Sequence, residues 1–290
     1  MTPVAPPPTR KPRDDEMDVH AVSHPGLVRT ENQDRYLVAT IHRRTQIVAT
    51  NLEDTADRLP PEEQRVAYLA MVADGVGGGA GGAEASETAL ETALRYVDES
   101  ATVYAGSRAG ESAITELLQA AALRAHEAVR ARREEQGVRG TMATTLTLFI
   151  GVWPTYYLLQ VGDSRYYLWS RGTLTQVTRD QTIAQELVDG GVLSRDAAAR
   201  TALAHVLSSA IGADSTVPVV TRLAADWGNV HLLCSDGLTK HVSDARIAEV
   251  LGTMTSARQA CEQLLQDALD GGGSDNVTIL VGRTVPRDPA

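Results

Sequence analysis

Four aspartates each stand where an apolar, strand-like run stops and a Gly- or Ser-containing turn begins. They are Asp74 in MVADGVGGG, Asp163 in LLQVGDSRYY, Asp236 in HLLCSDGL and Asp275 in GGGSDNVTILV. One Asp-Gly or Asp-Asn pair is ordinary turn chemistry. Four of them, delivered by separate strands of one domain, require a fold that brings distant strand ends to one edge of a shared core. Carboxylates gathered there repel one another, so such a cluster calls for cations. An all-oxygen donor set without Cys or His beside it favours hard ions, Mg²⁺ or Mn²⁺, over zinc. The first expectation is therefore a two-metal hydrolytic site.

The remaining pattern sets the architecture. Strand-like character begins at about Val19. Short runs at 36–40 and 46–50 flank a polar turn at 42–45, and a loop or short acidic helix at 51–65 leads into a buried strand at 66–73. Two amphipathic helices follow. Ala85, Ala89, Leu90, Ala93, Leu94 and Val97 recur at three- and four-residue steps over 84–99, and Ile114, Leu117, Leu118, Ala121, Ala125 and Val129 do so over 111–136. Strands return at 144–151, 155–161, 164–169 and 173–177, with tight hairpins expected around Asp163 and at Arg171-Gly172. Short helices around Gly190-Gly191, strands at 217–223 and 229–235, helices at 244–252 and 257–270 capped by Ser243 and Ser256, and a last strand at 277–284 complete the order. This is not βαβ alternation, and it predicts an α+β domain with largely antiparallel sheets.

With 290 residues, 43% of them hydrophobic, the chain can bury one large core. A formal charge of −10 argues against a nucleic-acid partner, which calls for a basic footprint. Cys234 and Cys261 form no CxxC pair and read as buried thiols. No apolar stretch is long enough to span a bilayer. The N-terminus carries Pro and charge where a signal peptide carries its apolar run. These features predict a disordered tail over 1–18, one domain over 19–284 and a short tail over 285–290, in a cytoplasmic monomer.

Gly75-Val76-Gly77-Gly78-Gly79-Ala80 fits the GxGxxA dinucleotide fingerprint. Asp74 directly before it opposes a pyrophosphate, and the meander that follows spoils the second βαβ unit. The glycines instead let the backbone bend around an ion, with the Gly75 carbonyl as a ligand. In GLVRTENQD, Arg29 precedes Asp34 by five residues, and a guanidinium beside dications suits a bidentate grip on phosphate. The histidines show no ligand spacing: His126 and His231 read as structural, and His205 and His241 as minor candidates for proton transfer. Cys234 lies in an apolar strand where a thiolate is disfavoured.

Taken together, these segments resemble the metal-dependent protein serine/threonine phosphatases of the type 2C or PPM family, above all bacterial members, over nearly the whole chain. GLVRTENQD resembles the Arg-x-x-Asn-(Glu/Gln)-Asp opening, MVADGVGGGAGGAEAS the Asp-Gly-Met-Gly-Gly-His segment, and GTMATTL, QVGDSRYYLW, LTQVTRDQTIAQELVDGG, LLCSDGL and GGSDNVTILV the later blocks in order. The resemblance implies a four-layer α-β-β-α sandwich, two antiparallel sheets flanked by helices, with a metal site at one end. It implies that Asp74 bridges two Mn²⁺ or Mg²⁺ ions, that the Gly75 carbonyl binds the first, and that Asp236 and Asp275 hold the second. Asp163, with Asp236, would bind a third. Arg29 would bind substrate phosphate and Asp34 would orient metal-bound water. The implied reaction is hydrolysis of phosphoserine or phosphothreonine in proteins by a metal-bridging hydroxide without a phosphoenzyme, the partners being phosphorylated substrates of a Ser/Thr kinase. Gln33, Val76, Gly79 and Gln181 depart from the family pattern and leave the general acid unassigned. A catalytically silent phosphoprotein-binding scaffold and a dinucleotide-binding oxidoreductase are the alternatives from other classes.

Overall fold

The computed structural model describes residues 10–44, 63–77, 81–105 and 111–287. Its strands are β1 (Met17–His24), β2 (Arg35–Arg44), β3 (Glu63–Ala73), β4 (Gly75–Val76), β5 (Ala143–Thr144), β6 (Leu146–Val152), β7 (Thr155–Val161), β8 (Arg165–Ser170), β9 (Thr173–Gln176), β10 (Val219–Ala224), β11 (Val230–Cys234) and β12 (Val277–Thr284). The α-helices are α1 (Gly81–Glu99), α2 (Ala101–Ala105), α3 (Glu111–Glu135), α4 (Ile183–Asp189), α5 (Arg195–Ala199), α6 (Asp236–Thr239), α7 (Asp244–Thr253) and α8 (Ala257–Asp270).

Side-chain alternation along β3 builds the layers. Leu69, Met71 and Ala73 face α1 and α3, while Ala70 and Val72 face the opposite way, into a core between two sheets. The same division recurs in β11, where Leu232 and Cys234 pack against α7 and α8 and Leu233 enters the inter-sheet core beside Tyr166 and Leu280. One sheet runs β10-β7-β6-β3-β2 and the other β1-β12-β11-β8-β9, and the strand pairs within both are antiparallel. With helices outside each, the result is the expected α-β-β-α sandwich. Ala85, Ala89 and Ala93 let α1 lie close to α3, whose fully buried Leu118 anchors that layer. Truncating Leu118 to Ala would cost about 2–5 kcal/mol. Ser243 and Ser256 cap α7 and α8, accepting hydrogen bonds from the backbone N–H of Arg246 and Gln259. Both cysteines are buried free thiols.

Two local expectations need correction. The tight hairpin around Asp163 does not form, because β7 and β8 belong to opposite sheets. Gly162 turns the chain between them with φ +101°, at a spot where a Cβ would meet Thr145 Cγ2 at 2.6 Å. The Arg171-Gly172 hairpin does form, with φ 51° and 83° at its two turn residues. The polar turn at 42–45 is strand as far as Arg44, since β2 continues pairing with β3 across an irregularity at Ile41/His42.

The tail drawn over 1–18 is also too long. β1 starts at Met17, and before it Glu16 is buried and gathers hydrogen bonds from the Arg10 side chain, the Arg13 N–H and the Arg287 N–H. Trp227 Nε1 donates to the Arg10 carbonyl, so this end is fastened to the sandwich, as is Val285, whose N–H donates to the Glu16 carbonyl. Residues 1–9 and 288–290, the strand expected at 46–50, most of the 51–65 loop, and Gly78, Gly79 and Ala80 lie outside the described residues. Among the described residues no helix is long and apolar enough to cross a membrane.

Candidate metal centre

Asp74 leaves the end of β3, and its position is fixed from β5 and β6. Its N–H donates to Thr145 Oγ1 at 2.9 Å, and its carbonyl accepts from the Thr144 hydroxyl and the Thr145 N–H, both at 2.9 Å. Thr145 Oγ1 also lies 2.7 Å from Ser164 Oγ, beside Asp163 on the crossover between the sheets. A hydroxyl network thus ties the ends of two strands from different sheets. Gly75 follows in a bend so tight that a Cβ there would sit 2.2 Å from the Gly82 carbonyl oxygen. Only glycine fits this approach of α1 to the strand end.

The other two strand-end aspartates are brought together from β11 and β12. Asp236 opens α6 directly after β11, and Asp275 directly precedes Asn276 and β12. Asn276 clamps the N-terminal loop over them. Its Oδ1 accepts from the Gln33 N–H at 2.8 Å, and its Nδ2 donates to the carbonyls of Pro25 and Glu31 at 2.9 and 2.8 Å. That clamp carries Arg29 into place, where Nε is 2.8 Å from Asp275 Oδ1 and Nη2 is 3.0 Å from Oδ2. Asp34, 2% exposed, accepts from Ser235 Oγ at 2.7 Å, so the opening motif and the β11 end share a buried hydrogen bond.

Asp74, Asp163, Asp236 and Asp275 therefore line one cavity, together with Arg29, Gln33 and Gly75, while Asp34 is buried and bonded to Ser235, the neighbour of Asp236. The electrostatics agree with this crowding. Burial, reinforced by the charges of Asp34, Asp236, Asp163 and Asp275, raises the Asp74 carboxyl well above its ordinary value. Burial pushes Asp163 up to about 7, with Asp236 and Asp180 adding to it. It pushes Asp34 up to about 6, against hydrogen bonds from Ser235 and Thr278. Burial acts on Asp275 too, but hydrogen bonds from Lys240 and Arg29 outweigh it and hold that carboxyl below its usual range.

Lys240 is the residue that sequence reading passed over. It stands one turn after Asp236, and its Nζ lies 2.6 Å from Asp236 Oδ2 and 2.7 Å from Asp275 Oδ2. The i, i+4 spacing from an Asp at a helix start is a readable signal, although it also marks countless surface ion pairs. As the side chains are posed, no three His, Cys, Asp or Glu among the described residues close around a single point as a metal cluster. Lys240 and Arg29 supply positive charge in that space instead.

The residues nonetheless fit divalent ions. Asp34 Oδ1 and Asp236 Oδ1 are buried with no hydrogen-bond partner, an arrangement that a bound cation or its water ligands would satisfy. The donor set is oxygen-only, one ammonium already spans Asp236 and Asp275, and Gly75 lines the same cavity. Asp74, Gly75, Asp236, Asp275 and Asp163 are the residues that could hold them.

All but one of the histidines considered fall away from this chemistry. His231 is half-buried between the sheets against Tyr166 Oη, and His126 Nδ1 accepts from the Gly212 N–H and contacts Thr216 Oγ1. His241 Nε2 accepts from the Ser274 N–H at 2.9 Å and is committed to that turn. His205 lines the cavity. Gln181 acts in the neck of the 180–214 segment. Its Oε1 accepts from the Gly162 N–H and its Nε2 donates to the Val217 carbonyl, while Arg165 pairs with Asp180 beside it.

Comparison with known proteins agrees with this architecture. The family model for protein phosphatase 2C matches residues 54–271. The serine/threonine protein phosphatase PstP of Mycobacterium tuberculosis is 35% identical over 229 residues, 77% of this chain and 41% of that relative. This chain thus spans under half the length of that curated relative. The crystal structure of the M. tuberculosis phosphatase PstP/Ppp aligns with a TM-score of 0.73 at 30% identity, covering 93% of this chain and 99% of that one. A structure of the PstP catalytic domain in complex with 2 manganese ions aligns with a TM-score of 0.71 at 31% identity, with the same coverage. On fold, sequence and extent of match, the chain belongs to the protein phosphatase 2C family.

Proposed function

We propose that this chain is a metal-dependent phosphatase that hydrolyses phosphoserine and phosphothreonine in proteins, by single displacement and without a phosphoenzyme. The observation that carries the proposal is the convergence of four strand-end aspartates on one cavity beside an Arg that is 57% exposed and faces it. Asp74, with the Gly75 carbonyl, and Asp236 with Asp275 would hold two Mn²⁺ or Mg²⁺ ions, and Asp163 with Asp236 a third. When bound, the ions supply a water-derived nucleophile at neutral pH and neutralise charge on the phosphoryl oxygens.

The chain's own residues do the rest. Arg29 swings from Asp275 to a phosphate that enters the cavity, and its planar fork holds two oxygens in fixed orientation. Asp34, buried and fixed by Ser235, presents its unpartnered Oδ1 to a water and orients it. Asn276 keeps Arg29 and Asp275 in register through the loop that it clamps. The 180–214 segment forms part of the cavity rim and shapes the choice of protein substrate. The partners in this reading are phosphorylated substrates of a Ser/Thr kinase, and the protein acts as a cytoplasmic monomer that engages neither nucleic acid nor membrane.

The test is turnover of phosphoserine and phosphothreonine peptides with Mn²⁺, with chelator, and by Asp236→Asn. We expect activity that is metal-dependent, abolished by chelator and nearly absent in the variant, a loss of at least about 100-fold. Wild-type-like turnover by Asp236→Asn would refute the assignment.

A further inference from the structure

Lys240 has no part in the metal-ligand set, yet it occupies the space between two of its members. Its backbone N–H donates to the Asp236 carbonyl at the end of α6, so the side chain starts one helical turn from that carboxylate and cannot drift away. Its ammonium contacts Asp236 Oδ2 and Asp275 Oδ2 at 2.6 and 2.7 Å, and its side chain is only 23% exposed. This is far more enclosed than a surface ion pair, and solvent screens it less. On the other side Asp275 is gripped by Arg29, so each of its oxygens already faces a cation. Asp74 has no such contact with Lys240.

From this geometry we propose that Lys240 is a tethered cation that competes with a divalent ion for the Asp236–Asp275 pair and so sets the affinity of the second metal site. A divalent ion that takes these oxygens must displace the ammonium, which stays anchored nearby and repels the ion. The ion held through Asp74 and Gly75 lies outside this competition. The two sites therefore differ in affinity through a residue that ligates neither, and occupancy of the second follows the available Mn²⁺. This inference rests on the metal-site reading above and adds to it a graded response to metal supply.

The experiment is a Mn²⁺ binding isotherm on the intact protein by calorimetry, with free Mn²⁺ counted by electron paramagnetic resonance, for wild type, Lys240→Met, Lys240→Gln and Lys240→Arg. We expect a tight and a weak class in the wild type. Removal of the charge in Lys240→Met or Lys240→Gln tightens the weak class by about tenfold or more and leaves the tight class unmoved, whereas Lys240→Arg keeps it weak. Isotherms of Lys240→Met and Lys240→Gln that superimpose on the wild type overturn the proposal. A wild type that binds no Mn²⁺ overturns instead the metal-site reading beneath it. A second measurement needs no variant. Amine acylation of Lys240, read by mass spectrometry, should rise severalfold when Mn²⁺ saturates the protein, and unchanged labelling overturns the proposal.

Discussion

Replacing Gly237 by Ala should uncouple the two halves of the site without touching a proposed ligand. An added Cβ would lie 1.9 Å from the Asn276 carbonyl oxygen and 2.8 Å from its carbonyl carbon. Gly237 is not among the residues with positive φ, so alanine is excluded here by space and not by backbone conformation. Relieving the contact requires the segments to part by about 1.5 Å. Asn276 cannot retreat cheaply, because its side chain holds the backbone of Pro25, Glu31 and Gln33. The movement therefore falls on α6 and carries Asp236 away from Asp275. Overpacking of this kind costs about 1–3 kcal/mol, and a displacement on the order of 1 Å at a reacting centre costs about 100-fold in rate. Urea melts and Mn²⁺-dependent turnover of a phosphopeptide measure the two effects. Gly140→Ala is the control, since a Cβ there meets nothing within 4 Å and Gly140 is not among the positive-φ glycines. If Gly237→Ala melts and turns over like Gly140→Ala, the coupling deduced between α6 and the start of β12 is wrong.

Other perturbations test separate parts of the site and core. Arg29→Ala should raise KM for an aryl phosphate by about tenfold or more, and Arg29→Lys should recover little of it because an ammonium lacks the fork; unchanged KM values in both would remove Arg29 from phosphate binding. Ser235→Ala leaves the buried Asp34 carboxylate without its 2.7 Å donor, and should cost about 1–3 kcal/mol in urea melts together with a fall in kcat. A variant as stable and active as wild type would show that Asp34 needs no such support. Burial pushes His231 down to about 4 from 6.5, so the unfolded chain takes up a proton that the native state excludes. Its contribution to stability is full above pH 6.5 and is lost as pH falls toward 4. His231→Gln should thus close on the wild type by about 2–3 kcal/mol between about pH 7.5 and about pH 4.5, and a stability gap constant with pH would contradict that sign.

The helices, the strands and their order along the chain were legible because periodicity reports burial directly, whereas the four-layer sandwich was implied only by the family resemblance. The alanine-rich stripes of α1 and α3 and the strand ending at Thr284 follow from local pattern alone. The gathering of Asp74, Asp163, Asp236 and Asp275 was suggested by their recurrence at strand ends, and it takes the packing of both sheets to bring them to one cavity. What local pattern could not carry was which sheet a strand joins. A short Gly-Asp-Ser link suits a hairpin, and only the non-local pairing of β7 with β6 and β8 with β11 makes it a crossover. Glu16 was misread for a similar reason, because a charged, Pro-rich run looks solvated until Arg10, Arg13 and Arg287 are placed around it. The roles of Thr145, Asn276 and Lys240 depend on partners tens to hundreds of residues distant, or on an Asp whose own importance is tertiary.

The most direct test is anomalous scattering from crystals of the protein grown with Mn²⁺. Strong peaks bounded by Asp74, the Gly75 carbonyl, Asp236 and Asp275, with Lys240 turned off the carboxylates, are the predicted result. Mn²⁺ bound elsewhere, or no peak in that cavity at saturating metal, would contradict the claim that these strand ends exist to hold it.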